Sequence, residues 1–256
     1  MAGYRFLRLE VADGVARLVL DRPPLNILTI EMMEELNAAL ECVQALPEVR
    51  ALVLGAEGKA FSAGVAVEDH LGDRVKPMLE AFHRIFHLLR ALPCPAIAAV
   101  QGAALGGGSE LATFCDWVIA AENATFGQPE VKVGVFPPIA AVHYPSRIGL
   151  ARTLQLLLTG EVIGAKEAER IGLVDRVVPA AQLPAAVEEV LVKLRDKSRA
   201  VLALTRRAVL DATGQPFEAA LCAVESLYHA ELMQTEDAHE GLKAFVEKRA
   251  PVWKHR

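Results

Sequence analysis

The sequence lacks the features that mark several large classes of protein. Its four cysteines show no Cys-x-x-Cys spacing and stand among apolar residues, which indicates reduced thiols in a core. The formal net charge is −5, so the basic surface that nucleic acid or an anionic membrane requires is missing. No run of 18 residues is free of charged or polar side chains, and a membrane-spanning helix is therefore not predicted.

The N-terminus also lacks recognisable targeting signals. It has neither an apolar signal core nor an Arg- and Ser-rich amphipathic transit segment, which predicts a cytoplasmic protein. What the chain does have is length and apolar content. Its 256 residues, 53% of them hydrophobic, can form one sizeable core with an appended element. Buried contacts between subunits would account for the high apolar content.

The chain begins with patterns typical of strands and then of a helix. Residues 4–10 and 15–20 alternate apolar and polar side chains around an Asp-Gly pair at 13–14, which predicts a β-hairpin. Thr29 is placed to cap a helix that runs to about Leu46, because apolar side chains recur at helical spacing behind it.

The same alternation continues along the chain. A buried strand is predicted at 51–54, and Asp73 is placed to cap a second amphipathic helix that ends before Pro93. Strand, helix and strand repeated in this way predict an α/β core.

After residue 179 the sequence predicts helices only. Their predicted bounds are 182–195, 198–211, 216–233 and 235–248. The third carries an apolar stripe of Leu221, Val224, Leu227 and Tyr228. Because a small helical tail cannot bury such a stripe by itself, a subunit interface is expected here. We therefore divide the chain into a core, residues 1–197, and a C-terminal helical region, residues 198–256.

The chain is organised around residues 95–130. A buried strand at 96–100 leads through three glycines at 106–108 into a helix, an arrangement in which free backbone N–H groups can hold a developing oxyanion. Glu110 lies in the first turn of that helix, and Glu130 follows in a Gly-Gln-Pro-Glu loop. Two carboxylates around one glycine turn suggest acid/base catalysis. On spacing alone, a purely structural role of Glu110 at the helix dipole stays open.

Other known motifs fit poorly. Residues 106–111 lack the final small residue of a dinucleotide fingerprint, and residues 55–60 lack the loop length and Ser/Thr of a phosphate-binding loop. Leu111 stands where a serine-hydrolase elbow needs its last glycine. His83 and His87 lie four apart on a predicted helix, but the metalloprotease Glu is missing, so packed or solvated histidines are expected rather than a metal site.

Motifs along nearly the whole chain resemble the enoyl-CoA hydratase/isomerase (crotonase) family. They lie at 21–26, 58–64, 101–112, 126–131, 158–160, 165–168, 172–174 and 244–249. The resemblance implies a crotonase-like α/β fold, with a spiral core of ββα units and a C-terminal helical region that forms trimers or dimers of trimers. It implies hydration of an α,β-unsaturated acyl-CoA thioester, with no cofactor beyond the CoA of the substrate.

The resemblance also assigns roles to individual residues. It implies that Glu110 activates water, that Glu130 supplies the α-proton, and that the backbone N–H groups of Val65 and Gly107 form the oxyanion hole. The substrate- and CoA-binding positions that it implies are Asn26, Lys59, Ala63, Gly64, Ala66, Val67, Gly106, Ile139, His143 and Phe245. Isomerisation or thioester hydrolysis on the same scaffold stays open, as does a non-catalytic binding protein, although neither glutamate has been lost.

Two segments depart from the family pattern. Ala66 stands where an acidic residue is common, and residues 136–143 replace a glycine-rich segment with Phe-Pro-Pro-Ile-Ala-Ala-Val-His. The added bulk and stiffness predict a reshaped acyl pocket that disfavours short straight chains. Together with residues 61–70, this segment resembles hydratases of cyclic dienoyl-CoA intermediates in anaerobic aromatic degradation. A cyclic conjugated acyl-CoA is therefore expected to be preferred over crotonyl-CoA, with an ordinary short-chain enoyl-CoA hydratase as the alternative.

Overall fold

The computed structural model describes residues 3–256, in which two sheets and a set of helices surround a common core. The strands are β1 (Leu7–Ala12), β2 (Val15–Leu20), β3 (Ala51–Ala56), β4 (Ala96–Val100), β5 (Ala103–Leu105), β6 (Trp117–Ala121), β7 (Thr125–Gly127), β8 (Val162–Gly164) and β9 (Arg176–Val178). The helices are α1 (Ile30–Ala45), α2 (Val75–Arg90), α3 (Gly107–Thr113), α4 (Pro138–Ile148), α5 (Leu150–Thr159), α6 (Ala165–Arg170), α7 (Leu183–Arg195), α8 (Arg199–Ala212), α9 (Phe217–Ala230) and α10 (Glu236–Val246).

The larger sheet has six strands in the order β1-β2-β3-β4-β6-β9, and the smaller has the order β5-β7-β8. Only the β1–β2 pair of the larger sheet is antiparallel; every later pair is parallel. In the smaller sheet β5 and β7 are parallel, and β8 is antiparallel to β7. Parallel strands joined by helices match the predicted α/β class.

Both faces of the larger sheet are buried, and successive side chains along each strand point to opposite faces. Leu52, Leu54 and Ala98 join the main core with α1 and α2. Val53 and Ile97, one position along, join a second cluster with α7. Burial on both faces explains why β3 and β4 form near-continuous apolar runs in the sequence.

The start of the chain follows the prediction with one shift. Asp13 and Gly14 form the hairpin turn with φ of 53° and 75°, and Thr29 caps α1 through a side-chain bond to the N–H of Met32. The predicted first strand at 4–10 was placed too early. The backbone N–H groups of Arg5 and Phe6 instead donate to the Glu35 carboxylate on α1, so pairing begins at Leu7.

The prediction that Asp73 caps the second helix was wrong. Asp73 lies within a 3₁₀ turn, Gly72–Arg74, and α2 begins at Val75 with no side-chain cap. The helix ends at Arg90, before Pro93, as expected.

The four C-terminal helices agree with the predicted ones to within a few residues. Ser198 and Thr235 cap α8 and α10 by accepting from the N–H groups of Val201 and Ala238. The domain boundary at residue 197 stays a prediction. Among the helices of residues 3–256, none combines the length and apolar character needed to cross a lipid bilayer.

Candidate active site

A cavity of about 570 Å³ opens beside the glycine turn that leads into α3. Its walls come from the loop before α2, from α2, from the start of α3, and from the segment that joins β7 to α4. The lining residues are Ala63, Gly64, Val65, Val67, His70, Leu71, Met78, Leu79, Phe82, Gly106, Gly107, Glu110, Pro129, Glu130, Lys132, Val133, Val135, Phe136, Pro137 and Pro138. Most are apolar, so the two glutamates lie against a wall suited to a hydrophobic substrate.

Gly106 sets the geometry of this turn. Its φ is 51°, and its N–H donates to the carbonyl of Gly127, which ties the turn to β7. A Cβ added to Gly106 would lie 2.5 Å from Oε1 of Glu130. Only glycine adopts this conformation while leaving room for that carboxylate. The turn and Glu130 are therefore in direct contact, although 24 positions separate them.

Glu110 is almost fully buried, with 2% of its surface exposed. Its N–H donates to the carbonyl of Gly106 at 2.9 Å, as expected for the first turn of α3. Its Oε1 accepts the N–H of Ala140 at 2.7 Å, in the first turn of α4. The positive end of α4 thus holds the Glu110 carboxylate, which accounts for the position of a buried acid.

Glu130 is half-buried in the 3₁₀ turn Pro129–Val133. The fully buried Gln128 orients it: with the amide nitrogen directed at Glu130, Gln128 donates to both carboxylate oxygens at 3.2 and 3.3 Å. The Gln128 oxygen then accepts the hydroxyl of Tyr144 at 2.8 Å, and that hydroxyl also contacts Ser109 Oγ at 2.9 Å. Tyr144 belongs to α4, so one helix supports both glutamates.

Burial raises the pKa of both carboxyl groups. The pKa of Glu110 rises to about 8, with burial the largest cause and the nearby Glu130 a further one, while the Ala140 N–H opposes the shift. Burial also raises the pKa of Glu130, to about 7. Both groups therefore hold a proton more tightly than a free carboxylic acid does, so near neutral pH one member can act as a base and the other as an acid.

Two residues that line the cavity, Val65 and Gly107, have backbone N–H groups without protein partners among the described residues. Within residues 3–256 the N–H groups of Val65 and Gly107 donate to no protein acceptor. A Cβ added to Gly107 would lie 2.8 Å from Cγ2 of Val65, so the two residues are neighbours. Unpaired N–H groups on two neighbouring residues of one cavity wall are available to donate hydrogen bonds to a ligand oxygen.

The structure brings only some of the predicted substrate-binding residues to this cavity. Ala63, Gly64, Val67 and Gly106 line it together with the four residues of the proposed chemistry. Lys59 and Phe245 are exposed elsewhere and stay predictions for the CoA portion.

Three predicted contacts do not reach the cavity. Asn26 is fully buried, and its amide holds the carbonyls of Glu57 and Ala60. Ala66 donates its N–H to Leu28 and is itself buried. His143 is partly buried and lies outside the cavity lining, and its Nε2 contacts the carbonyl of Thr113 at 2.9 Å.

The departing segment 136–143 does shape the pocket, although not with the predicted residue. Phe136, Pro137 and Pro138 line the cavity, whereas Ile139 packs against the main core and its side chain is not part of the wall. Pro138 opens α4 at a position where the missing N–H costs nothing. The stiff proline pair therefore fixes where the helix that holds Glu110 begins.

Several wall residues were not predicted as site residues. His70, Leu71, Met78, Leu79, Lys132, Val133 and Val135 belong to this group. Met78 and Phe82 lie on the second predicted amphipathic helix, but helical periodicity does not separate a core face from a pocket wall.

His83 and His87 lie away from the glutamates, along a shallow concavity of about 740 Å³ on the outer side of α2. Burial lowers the pKa of His83, and His87 adds to this effect. In the described part of the chain, no three His, Cys, Asp or Glu side chains are grouped as a metal site requires.

Comparison with known proteins gives consistent matches over the full length. The enoyl-CoA hydratase/isomerase family model matches residues 10–256. A probable enoyl-CoA hydratase of Mycobacterium bovis is 37% identical over 99% of both chains. The cyclohexa-1,5-dienecarbonyl-CoA hydratase of Thauera aromatica is 39% identical over 97% of this chain and 96% of that protein. The crystal structure of a Mycobacterium smegmatis enoyl-CoA hydratase matches with a TM-score of 0.92 at 30% identity, covering 98% of this chain and 99% of that one.

Proposed function

Because the chain belongs to the enoyl-CoA hydratase/isomerase family, we propose that it adds water across the conjugated double bond of an acyl-CoA thioester. The observation that carries this proposal is that two buried or half-buried glutamates and two residues with free backbone N–H groups line one apolar cavity. The CoA moiety arrives as part of the substrate, and the chemistry requires no further cofactor.

The oxyanion side of the reaction is supplied by Val65 and Gly107. Their N–H groups donate to the thioester oxygen, where negative charge develops as the enolate forms. Each such donor is worth about 3 kcal/mol of transition-state stabilisation in other enzymes. The glycine at 107 is needed because a side chain would collide with Val65 and Phe82.

The two glutamates move the protons. In the protonation state of the pair that reacts, the proton lies on Glu130 and Glu110 is the carboxylate that accepts the Ala140 N–H. Glu110 then takes a proton from water as the water oxygen bonds to the β-carbon. The π electrons pass to the α-carbon and thioester oxygen, and Glu130 then donates its proton to the α-carbon. Glu110 gains one proton and Glu130 loses one, so the pair keeps its total and returns to its starting state by one proton exchange.

Incubation with a panel of enoyl-CoA thioesters tests this function. Hydration removes the conjugated absorbance and yields a 3-hydroxyacyl-CoA, whereas hydrolysis releases free thiol and isomerisation conserves mass. Formation of the hydroxy product is expected. Free thiol or a double-bond isomer as the main product would contradict hydration, and no reaction with any thioester would favour a binding protein.

A cyclic dienoyl-CoA is the more specific candidate substrate. The Thauera aromatica relative carries that name, and the pocket wall here includes the stiff Phe136-Pro137-Pro138 segment and other bulky apolar side chains. Such a wall favours a compact ring over a short flexible chain. A higher kcat/KM for cyclohexa-1,5-diene-1-carbonyl-CoA than for crotonyl-CoA is expected, and the reverse order would leave a short-chain hydratase.

The C-terminal helices support a homo-oligomer, a trimer or dimer of trimers. Phe217, Leu221 and Tyr228 on α9 are 40% or more exposed in the single chain, as are Leu242 and Phe245 on α10. Patches of this kind are uncommon on monomers. Light scattering at micromolar concentration should give at least three times the mass of the chain, and a monomer would contradict this assembly. A cytoplasmic location remains a prediction from the sequence.

A further inference from the structure

The loop that presents Val65 to the cavity is followed by a buried acid that takes no part in the proposed chemistry. Asp69 lies in the 3₁₀ turn Val67–His70, is 3% exposed, and does not line the cavity, although His70 beside it does. We propose that Asp69 is a positioning residue that holds the N–H of Val65 in place for the thioester oxygen. This inference rests on the hydratase function proposed above.

Hydrogen bonds link Asp69 to Val65 through the start of α1. Both neighbours of Val65 are bonded to Leu28: the carbonyl of Gly64 accepts the Leu28 N–H, and the N–H of Ala66 donates to the Leu28 carbonyl, each at 2.9 Å. The orientation of the Val65 peptide unit therefore depends on where Leu28 lies. Val65 itself keeps its N–H free within the described residues.

Asp69 completes a ring of hydrogen bonds that joins residues 28–30 to residues 64–69. Its Oδ2 accepts the N–H of Ile30, two residues after Leu28, at 3.0 Å. Its own N–H donates to the carbonyl of Ala66 at 3.1 Å. The Asp69 side chain is thus the link that joins the turn after Val65 back to the segment that supports Val65.

Arg74 anchors the carboxylate from the other side. Its Nε and Nη2 both donate to Oδ1 of Asp69, at 2.8 and 2.6 Å. Arg74 directly precedes α2, whose Met78, Leu79 and Phe82 form another wall of the cavity. One carboxylate therefore fixes the oxyanion loop relative to both α1 and α2, and charge-assisted bonds of this kind are about twice as strong as neutral ones.

The experiment compares Asp69→Asn and Asp69→Ala with Thr29→Ala. Thr29 caps the same end of α1 through the N–H of Met32, so its removal weakens the helix without breaking the ring. Arg74→Gln, at a half-exposed position, removes the anchor while leaving Asp69 in place. Readouts are kcat, KM, melting temperature and the red shift of bound 4-dimethylaminocinnamoyl-CoA. That shift reports polarisation of the thioester carbonyl by its hydrogen-bond donors, which a merely structural loss does not alter.

A small displacement of an oxyanion donor acts on the transition state, so kcat should fall while KM changes little. We expect Asp69→Asn and Asp69→Ala to lower kcat about tenfold or more and to reduce the red shift, with Arg74→Gln weaker in the same direction. Thr29→Ala should lower the melting temperature but keep kcat and the shift.

Two results overturn the role of Asp69: Asp69→Asn with the wild-type kcat and shift, or Thr29→Ala with the same losses as the Asp69 variants. If Asp69→Ala does not fold, Asp69→Asn and Arg74→Gln decide the question. A wild-type protein that neither hydrates enoyl-CoA thioesters nor shifts the chromophore would instead refute the hydratase function itself.

Discussion

The core and the C-terminal helices differ in how many of their side chains are buried within the single chain. In α1, seven of sixteen side chains are buried, and the six apolar ones belong to the main core that α1 shares with α2 and the sheet. Helices α8 and α9 have fourteen residues each, all of them among the described residues. Neither helix has a buried side chain. The core is stabilised by contacts that the chain makes with itself, whereas the apolar side chains of α9 are left at least partly exposed in the single chain.

Polar contacts attach α8 to the core instead. Arg206 forms a largely buried ion pair with Asp116, and its guanidinium also donates to the carbonyls of Leu89, Arg90 and Leu92. Arg199 bonds the carbonyl of Val49. Directional bonds of this kind orient the helices with respect to the core. They leave the apolar side chains of α9 at least partly exposed in the single chain, while the candidate active-site cavity is lined only by residues between 63 and 138.

The largest expected effect is on a core aromatic. Phe61 is fully buried, so Phe61→Ala should lower the free energy of unfolding by about 3–5 kcal/mol. Phe217→Ala, at a 73% exposed position on α9, is the matched control, and any loss there should depend on protein concentration because only a partner chain can bury it. Urea unfolding at two protein concentrations measures both. A large loss of unfolding free energy for Phe217→Ala that does not depend on protein concentration would contradict the proposed difference between the core and α9.

The next effect separates catalytic from surface carboxylates. Glu110→Gln and Glu130→Gln should each lower kcat at least about a hundredfold, because a positioned acid or base is lost. Glu225→Gln, at an exposed position on α9, should leave kcat unchanged. Steady-state turnover on the preferred enoyl-CoA gives the comparison. Near-normal kcat in either active-site variant would refute the two-carboxylate mechanism.

The pH dependence of stability should also differ between the two regions. The pKa of Glu110 is raised by burial to about 8, so the folded chain binds protons more tightly than the unfolded chain, and stability falls as pH rises from about 4.5 to 8. Glu110→Gln removes this loss, so its melting temperature should rise relative to wild type by several degrees at pH 8.5 and by less at pH 6.

Glu240 on α10 has a pKa shift in the opposite direction, so its effect on the pH dependence of stability has the opposite sign. Its hydrogen bonds with Arg249 and the Val252 N–H lower its pKa to about 2, so its contribution is lost as pH falls from about 4.5 towards 2. Melting temperatures of Glu110→Gln and Glu240→Gln at pH 3.5, 6 and 8.5 should therefore separate in opposite directions from wild type. Parallel pH profiles for both variants would contradict these assignments.

The smallest effect on folding is expected at the outer face of α9. Leu221→Ser changes a side chain that is 40% exposed in the single chain, so the fold should lose no more than about 0.5 kcal/mol. The mass in light scattering should nevertheless fall, because the subunit contact is weakened. Glu225→Gln again serves as the control, and an unchanged mass for Leu221→Ser would place the interface elsewhere.

The sequence by itself determined the elements whose signals are local. The cap at Thr29, the left-handed turn at Asp13 and Gly14, and the apolar runs of β3 and β4 each depend on residues within a few positions, so strand, helix and turn patterns located them. The family motifs did the same for the fold class and for the hydratase assignment, which the full-length matches confirm. Strands β5, β7 and β8 were missed because three residues are too few to show a period.

Only the tertiary structure decided which distant groups meet. Nothing in the local pattern predicts that Ala140 donates to Glu110 across 30 positions, or that Gln128 lies between Glu130 and Tyr144. The local pattern also does not predict that the side chains of Asn26 and His143 form hydrogen bonds with backbone carbonyls, those of Ala60 and Thr113, instead of lining the pocket. Periodicity says which face of an element is buried, but the partner of a buried polar group depends on how separate elements pack, and that packing is set by the whole core at once.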